Sequence, residues 1–370
     1  MKQTKKQIVC ENGARFVGQG FGADVERVAE LVFNTAMVGY QEILSDLSCC
    51  GQMVCMTYPL IGNYGLADDD YESKVPDMGG FIVREYNDNP SNYRYTQTLS
   101  EQMEEDGIPG IQGVDTRMLT RMIRDEGSMR VILTDADVPV EEALRRLRAE
   151  KPVTDYVRRV SCKKIWYSRT ANPRYNVVAV DCGIRHSVIR SLNSCRCNVT
   201  IVPYDTPADT ILALRPDGLL LSDGPGNPEE AAPVIGLVRD LQGRLPIFGI
   251  GLGCQIIALA NGAKTVKMKV GHHGANQTVR NLVSGGIEVT SQSHIYAIDA
   301  ASLAGTPLEL THVSLLDGTA EGVRCAQQQI FAVQFHLESC SGPKDCGYLL
   351  NTFIENMNVY KEAQGGAFRA

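Results

Sequence analysis

The amino-acid sequence predicts an α/β protein of two domains: a mixed α/β domain, followed by a domain whose mostly parallel sheet is flanked by helices. Its 370 residues are enough for two hydrophobic cores of ordinary size. The first half mixes short β-rich runs with turn clusters, whereas the second half alternates strand-like and helix-like segments. That alternation favours a sheet of parallel strands joined by helices.

The N-terminal domain is predicted to cover residues 1–155. Val9 to Gly18 is typical of a strand, with β-rich composition bounded by turn residues. Residues 115–124 carry an apolar stripe with helical spacing, which predicts a helix. Asp115 or Thr116 can cap the first turn of that helix.

The second domain is predicted to cover residues 174–362, after a polar linker at 156–173. Its alternating pattern predicts strands at 177–181, 199–202, 219–222 and 246–249, and helices at 187–193, 233–242 and 255–260. In sheets of this kind, the loops at the carboxyl ends of the strands carry the chemistry. We therefore expect the functional site in the loops after the third and fourth of these strands.

Composition excludes several classes of protein. Hydrophobic residues make up 44% and charged residues 21%, with a net charge of -7, which indicates a soluble globular protein without general affinity for nucleic acid or membranes. No apolar run approaches the roughly 18 residues that a membrane span needs, and no signal peptide is visible, so a cytoplasmic protein is expected. The 12 cysteines lack the paired spacing of zinc ligands and are interpreted as reduced thiols, so no metal site is predicted.

Residues 245–255 have the layout of a nucleophile elbow, in which a tight turn between a strand and a helix exposes one side chain. The segment reads LPIFGIGLGCQ, an apolar strand that leads through glycines into a helix. The residue at the tip of this turn is Gly251. A side chain of one hydrogen cannot act as a nucleophile, so the elbow predicts a fold more clearly than a reaction.

Two further segments carry residues that such a site needs. His336 and Glu338 end the strand-like run FAVQFHLE, and residues two apart on a strand share a face, so the carboxylate can orient the imidazole. Gly224 and Gly226 flank a proline after a predicted strand, where bare backbone amides can approach a ligand. Taken alone, these residues are better explained by a structural histidine and an ordinary turn.

Together, these segments resemble the class I glutamine amidotransferases. The elbow of that class reads GICLGHQ, so its nucleophilic cysteine falls on Gly251 and its histidine on Cys254. The HPEA motif of the class falls on the segment from His336, with Leu337 in place of proline. The resemblance implies that the loop at Gly224 and the amide of Leu252 donate to an oxyanion.

The same resemblance implies a set of substrate-contacting positions. They are Gly224, Gly226, Leu252, Gln255, Ser293, Ile295 and Tyr296. Ser293 stands where the class has asparagine, and Ile295 stands where it has glycine. An isoleucine branch at that place is expected to crowd a bound amino acid.

The N-terminal half makes the resemblance more specific. Segments that resemble the small subunit of carbamoyl phosphate synthetase are NTAMVGYQE at 34–42, TYPLIGNYG at 57–65, GVDTR at 113–117 and KMKVGHHGAN at 267–276. Ser48 matches a glutamine-contacting serine of that family. The resemblance implies a heterodimer with a large subunit, which uses glutamine-derived ammonia, bicarbonate and ATP to make carbamoyl phosphate for arginine or pyrimidine biosynthesis. It places ATP and magnesium on the large subunit and no cofactor on this chain.

The departures from the family cluster around the predicted glutamine site. They are Gly251, Cys254, Gln277, Ser293 and Ile295. This pattern predicts relaxed constraint on glutamine hydrolysis and leaves two interpretations open. One is a small subunit that supplies ammonia from glutamine. The other is a pseudo-amidotransferase that binds the large subunit and supports ammonia-dependent synthesis.

A free-standing hydrolase that uses Cys254 is a third interpretation. That thiol lies three residues beyond the elbow, roughly 4.5 Å farther along the helix axis at 1.5 Å per residue. An attacking atom must lie within about 3.5 Å of the carbonyl carbon. The spacing therefore disfavours Cys254 as a substitute nucleophile.

Overall fold

The computed structural model describes residues 4–337, 342–343 and 345–367. The chain forms two compact units. The first contains the chain up to Thr154 together with Lys269–Gly274, and the second contains Asp155–Met268 and the chain from Ala275 onward. Each unit has its own apolar core. Among the described residues, no helix combines the length and apolar character that crossing a membrane requires.

The first unit is built around a closed barrel. Its strands are β1 (Lys5–Cys10), β2 (Arg15–Gly22), β3 (Arg27–Asn34), β4 (Gln52–Met56), β6 (Gly80–Ile82), β8 (Pro109–Gln112) and β9 (Met129–Asp135), with β5 (Leu60–Ile61) and β7 (Glu85–Tyr86) as a separate pair. Its helices are α1 (Tyr40–Ser45), α2 (Leu99–Glu105), α3 (Thr116–Glu126) and α4 (Val140–Ala149). The barrel closes in the order β1-β2-β8-β6-β4-β3-β9.

Helix α3 confirms the helix and the cap that the sequence predicts. Asp115 precedes it and accepts a hydrogen bond from the backbone N–H of Met118 at 2.9 Å, which satisfies one of the free amides of the first turn. Leu119 and Ile123 lie on the apolar stripe and pack into the barrel core. The stripe therefore marks the face that the helix buries.

The prediction of one continuous strand from Val9 to Gly18 is wrong. The structure forms two antiparallel strands there, β1 and β2, joined by a turn. Gly13 has a φ of 89°, a conformation that glycine adopts without steric cost. The Asn12-Gly13 pair is a recognised hairpin signal, which the β-rich composition on either side concealed.

The second unit alternates strand and helix before it ends in antiparallel strands. Its helices are α5 (Tyr156–Val160), α6 (His186–Ser194), α7 (Ala208–Ala213), α8 (Ala232–Leu241), α9 (Leu252–Ala260) and α10 (Tyr348–Ala367). Its strands are β10 (Trp166–Ser168), β11 (Tyr175–Asp181), β12 (Cys197–Pro203), β13 (Gly218–Leu221), β14 (Ile247–Ile250), β16 (Ile287–Ile298), β17 (Glu309–Ser314), β18 (Ala320–Cys325) and β19 (Ile330–Val333), with all of β15 (Thr265–Asn281) except 269–274.

These strands form a 10-stranded sheet in the order β10-β12-β11-β13-β14-β19-β18-β16-β15-β17. From β12 to β19 the neighbours pair in parallel, as the sequence predicts. Phe248 on β14 anchors the sheet to α10, because its ring lies 4.3 Å from that of Phe331 and 5.6 Å from that of Phe353. The parallel strands β13 and β14 end side by side, which brings the loops after them together.

The segment predicted as a linker, 156–173, has a structure of its own. It contains α5 and β10, and β10 pairs antiparallel with β12 at the edge of the sheet. The strand is short and only partly buried, so it lacks the apolar run that identifies the central strands. The segment is part of the second unit rather than a free connection.

Candidate amidotransferase site

The turn between β14 and α9 has the strained backbone of an elbow. Gly251 adopts φ 55° and ψ -115°, with a left-handed φ that residues with side chains rarely adopt. Its N–H donates to the carbonyl of Val333 at 2.9 Å, which ties the turn to the neighbouring strand β19. The backbone therefore keeps the tight turn of an elbow, and the residue at its tip has no side chain.

The loop after β13 lies close against the end of β11. A Cβ atom added at Gly224 would come within 2.1 Å of the carbonyl oxygen of Cys182, so only glycine fits. Gly226, further along the loop, has a φ of 87°. At these two glycines the loop therefore presents backbone, without side chains of its own, where β13 and β14 end.

One amide from this loop and one from the elbow converge on a single oxygen atom. The N–H groups of Leu252 and Gly224 both donate to Oδ1 of Asp223, each at 2.8 Å. Donors 2.7–3.1 Å from a single oxygen are the geometry of an oxyanion site. The structure therefore brings the amides of Leu252 and Gly224 together around a carboxylate of the chain itself. Their role as oxyanion donors, which the resemblance implies, stays a prediction.

The same carboxylate fills the space beside the elbow. A Cβ atom built on Gly251 would lie 2.0 Å from Oδ1 and 2.3 Å from Cγ of Asp223. Contacts under about 3 Å between such atoms do not occur without a shift of one group. Asp223 thus occupies the space that a side chain at position 251 would need.

His336 lies next to this carboxylate. Its Nδ1 is 3.7 Å from Oδ2 of Asp223, and both side chains are almost fully buried. The backbone N–H of His336 donates to the carbonyl of Ser291 at 2.9 Å, which fixes the segment beside β16. Strand β19 ends earlier, at Val333, and Glu338 lies outside the described residues, so the predicted His–Glu pair stays a prediction.

The predicted substrate-contacting positions on α9 and β16 are also placed. Gln255 on α9 is buried and donates from its amide to the carbonyl of Tyr296 at 2.8 Å and to Oε1 of Gln334 at 2.9 Å. Ser293 and Ile295 lie on β16, and the Ile295 side chain is buried. The amide hydrogens of Gln255 are thus engaged within the unit.

Ser48 belongs to the first unit. It lies in a short 3-10 turn between α1 and β4, where its N–H donates to Oδ1 of Asp46 at 2.9 Å. Its predicted role toward glutamine stays a prediction.

Comparison with known proteins identifies the two units. The family model of the carbamoyl-phosphate synthase small chain, CPSase domain, matches residues 8–133, and that of the class-I glutamine amidotransferases matches residues 178–356. The chain is 46% identical to the carbamoyl phosphate synthase small chain of Listeria innocua over 98% of this chain and 99% of the relative. It is 47% identical to the small chain of Bacillus caldolyticus over 95% of this chain and 96% of the relative.

This chain belongs to the carbamoyl phosphate synthase small-chain family. The resemblance that the sequence shows at its elbow and in its N-terminal half is confirmed over nearly the whole chain. The glycine at the elbow lies within the residues that match the class-I glutamine amidotransferase model.

Cys254 lies in surroundings that do not suit a nucleophile. It lies on α9 with no exposed surface, inside the core cluster of the second unit. Burial and the nearby negative charge of Glu321 raise the pKa of its thiol. Only the thiolate is nucleophilic, so at neutral pH this cysteine is an inert core residue.

Asp223 is the residue at this site that sequence reasoning missed. The glycines of the loop give the more conspicuous pattern, although Asp223 lies two residues after the end of β13 and directly precedes Gly224. The signal was available, because an acidic residue at the carboxyl end of a central parallel strand lies where such sheets carry their chemistry. What the sequence could not show is the direction of the side chain, toward the amides of the elbow.

Proposed function

We propose that this chain is a small subunit of carbamoyl phosphate synthase that binds a large subunit and supports synthesis from ammonia without hydrolysing glutamine. The relatives are named as small chains, and a small chain implies a large-subunit partner. On this proposal ATP and magnesium act on the large subunit, and this chain contributes its fold and its contacts with that subunit. Of the two interpretations that the sequence leaves open, this is the pseudo-amidotransferase.

The observation that carries the proposal is the glycine at the elbow. Gly251 keeps the elbow backbone but offers no atom that can attack the carboxamide. In a protease triad, loss of the nucleophile costs roughly 10⁶-fold in turnover. That factor equals about 8 kcal/mol of barrier at 1.36 kcal/mol per tenfold. Backbone donors and a histidine cannot supply that amount.

Retention of the first unit supports the binding part of the proposal. The small-chain family model matches it over residues 8–133, and this region holds neither the elbow nor the histidine of the amidotransferase site. A domain without catalytic groups is expected to persist for its contacts. A stable interface of this kind buries on the order of 1,600 Å².

Co-expression with the large subunit from the same source tests the proposal. We expect co-elution in size-exclusion chromatography and carbamoyl phosphate synthesis from ammonium chloride, because the interface does not depend on the elbow. The large subunit expressed alone is the control for synthesis that needs no small chain. Separate elution at micromolar concentrations would contradict the proposal.

A further inference from the structure

The strongest unassigned feature of the described residues is the position of Asp223. Its Oδ1 accepts hydrogen bonds from the N–H groups of Leu252 and Gly224, each at 2.8 Å. The side chain is 6% exposed, so water does not compete for these bonds. A carboxylate held by two backbone amides in a buried site is a strong, charge-assisted arrangement.

This carboxylate has the charge and the position of a reaction intermediate. In acyl transfer, the developing oxyanion is held by the amide of the residue after the nucleophile and by a second backbone amide. Leu252 follows position 251, and Gly224 supplies the second amide. Oδ1 of Asp223 therefore stands in for the oxygen of a bound acyl group.

The same oxygen also excludes a side chain at the elbow. A Cβ atom at position 251 would meet Oδ1 of Asp223 at 2.0 Å and Oδ2 at 2.8 Å. A larger residue there requires a shift of the carboxylate or of the turn, against the two hydrogen bonds that hold the carboxylate to Leu252 and Gly224. Gly251 and Asp223 are thus sterically and electrostatically coupled.

We propose that Asp223 is an internal occupant of the oxyanion site, which closes the amidotransferase site to acyl ligands and favours glycine at position 251. This inference rests on the proposed function and deepens it. Inactivity then has two causes, a missing nucleophile and an occupied oxyanion site. Restoring the thiol alone does not restore the site.

A double-mutant cycle tests the coupling. The variants are Gly251→Ala, Asp223→Ala and the pair, and the readout is the free energy of unfolding in urea, followed by fluorescence of Trp166. This is the single tryptophan of the chain, and it lies on β10 of the second unit. The strain of a side chain at the positive φ of position 251 enters both arms of the cycle and cancels.

We expect Gly251→Ala to lower the folding equilibrium constant less when Asp223 is already alanine than when it is aspartate. The expected difference between the two backgrounds is about tenfold or more, which corresponds to about 1.4 kcal/mol. Asp181 supplies a matched control. Its Oδ1 also accepts from two backbone amides after a central strand, those of Gly183 at 3.0 Å and Ile184 at 2.9 Å. Asp181→Ala is expected to be additive with Gly251→Ala.

A chemical readout tests the closure to ligands. The thiol introduced by Gly251→Cys is treated with 6-diazo-5-oxo-L-norleucine, a diazomethyl ketone shaped like glutamine. This reagent alkylates a thiol with release of nitrogen. On the proposal, its ketone oxygen must be held by the amides of Leu252 and Gly224 for the reaction to be fast. Iodoacetamide, which does not need them, is the reference reagent. We expect Asp223→Ala to raise the ratio of the two alkylation rates at least tenfold, and Asp181→Ala to leave it unchanged.

Additive unfolding free energies, or an unchanged ratio of alkylation rates, would overturn the assignment of Asp223. Neither result bears on the proposed function, which fails instead if the unaltered chain hydrolyses glutamine or does not bind a large subunit. If a cysteine at position 251 prevents folding, the cycle with alanine still decides the matter.

Discussion

The purified chain is expected to release ammonia from glutamine no faster than the buffer does, both alone and in complex with a large subunit. Position 251 has no nucleophile, and loss of this group costs roughly 10⁶-fold in a comparable triad. The amides of Leu252 and Gly224, which we propose as oxyanion donors, are already bonded to Asp223. The measurement is a coupled glutamate assay with a detection limit well below 1 turnover per second, a typical enzymatic rate.

Cys254→Ala is the control for this assay. We expect it to leave the background rate unchanged, because the thiol is buried and protonated. Turnover at enzymatic rates that disappears in Cys254→Ala would identify this residue as the nucleophile and refute the proposed function.

The largest effect on stability is expected from Phe248→Ala. Phe248 lies on β14, the strand that leads into the elbow. Its ring is fully buried and stacks on Phe331 at a centroid distance of 4.3 Å. Truncation of a buried phenylalanine costs about 3–5 kcal/mol. This is a large part of the 5–15 kcal/mol by which domains are usually stable. Urea denaturation followed by Trp166 fluorescence measures the loss.

Val359→Ala is the matched control, because Val359 lies on α10 with 55% of its surface exposed. Its unfolding free energy should stay within about 0.5 kcal/mol of the unaltered chain. A loss of less than 1 kcal/mol in Phe248→Ala would mean that this ring cluster does not anchor the sheet to α10.

Local patterns were sufficient to predict the parallel part of the second unit. Its central strands are continuous apolar runs, and its helices carry apolar faces, so β11, β13 and β14 lie within a residue or two of their predicted positions. The first unit was harder, because its barrel closes through the pairing of β1 with β9, more than 100 residues apart along the chain. Nothing local in either strand specifies that partner.

The site shows the same division between local and distant information. Gly251 could be placed at the elbow from the sequence, since the strand, the glycine turn and the helix are contiguous. The role of Asp223 depends on Leu252, which reaches it from another strand end at 2.8 Å. Contacts between loops of different strands follow from the sheet order, which a single sequence does not give.

The nitrogen source of the assembled enzyme tests the central claim most directly. The complex of this chain with its large subunit is supplied with bicarbonate, ATP, unlabelled ammonium and glutamine carrying ¹⁵N in the amide, and the label in carbamoyl phosphate is measured by mass spectrometry. The account predicts product whose nitrogen comes from ammonium alone. Product that carries the glutamine label above the level set by spontaneous hydrolysis would contradict it.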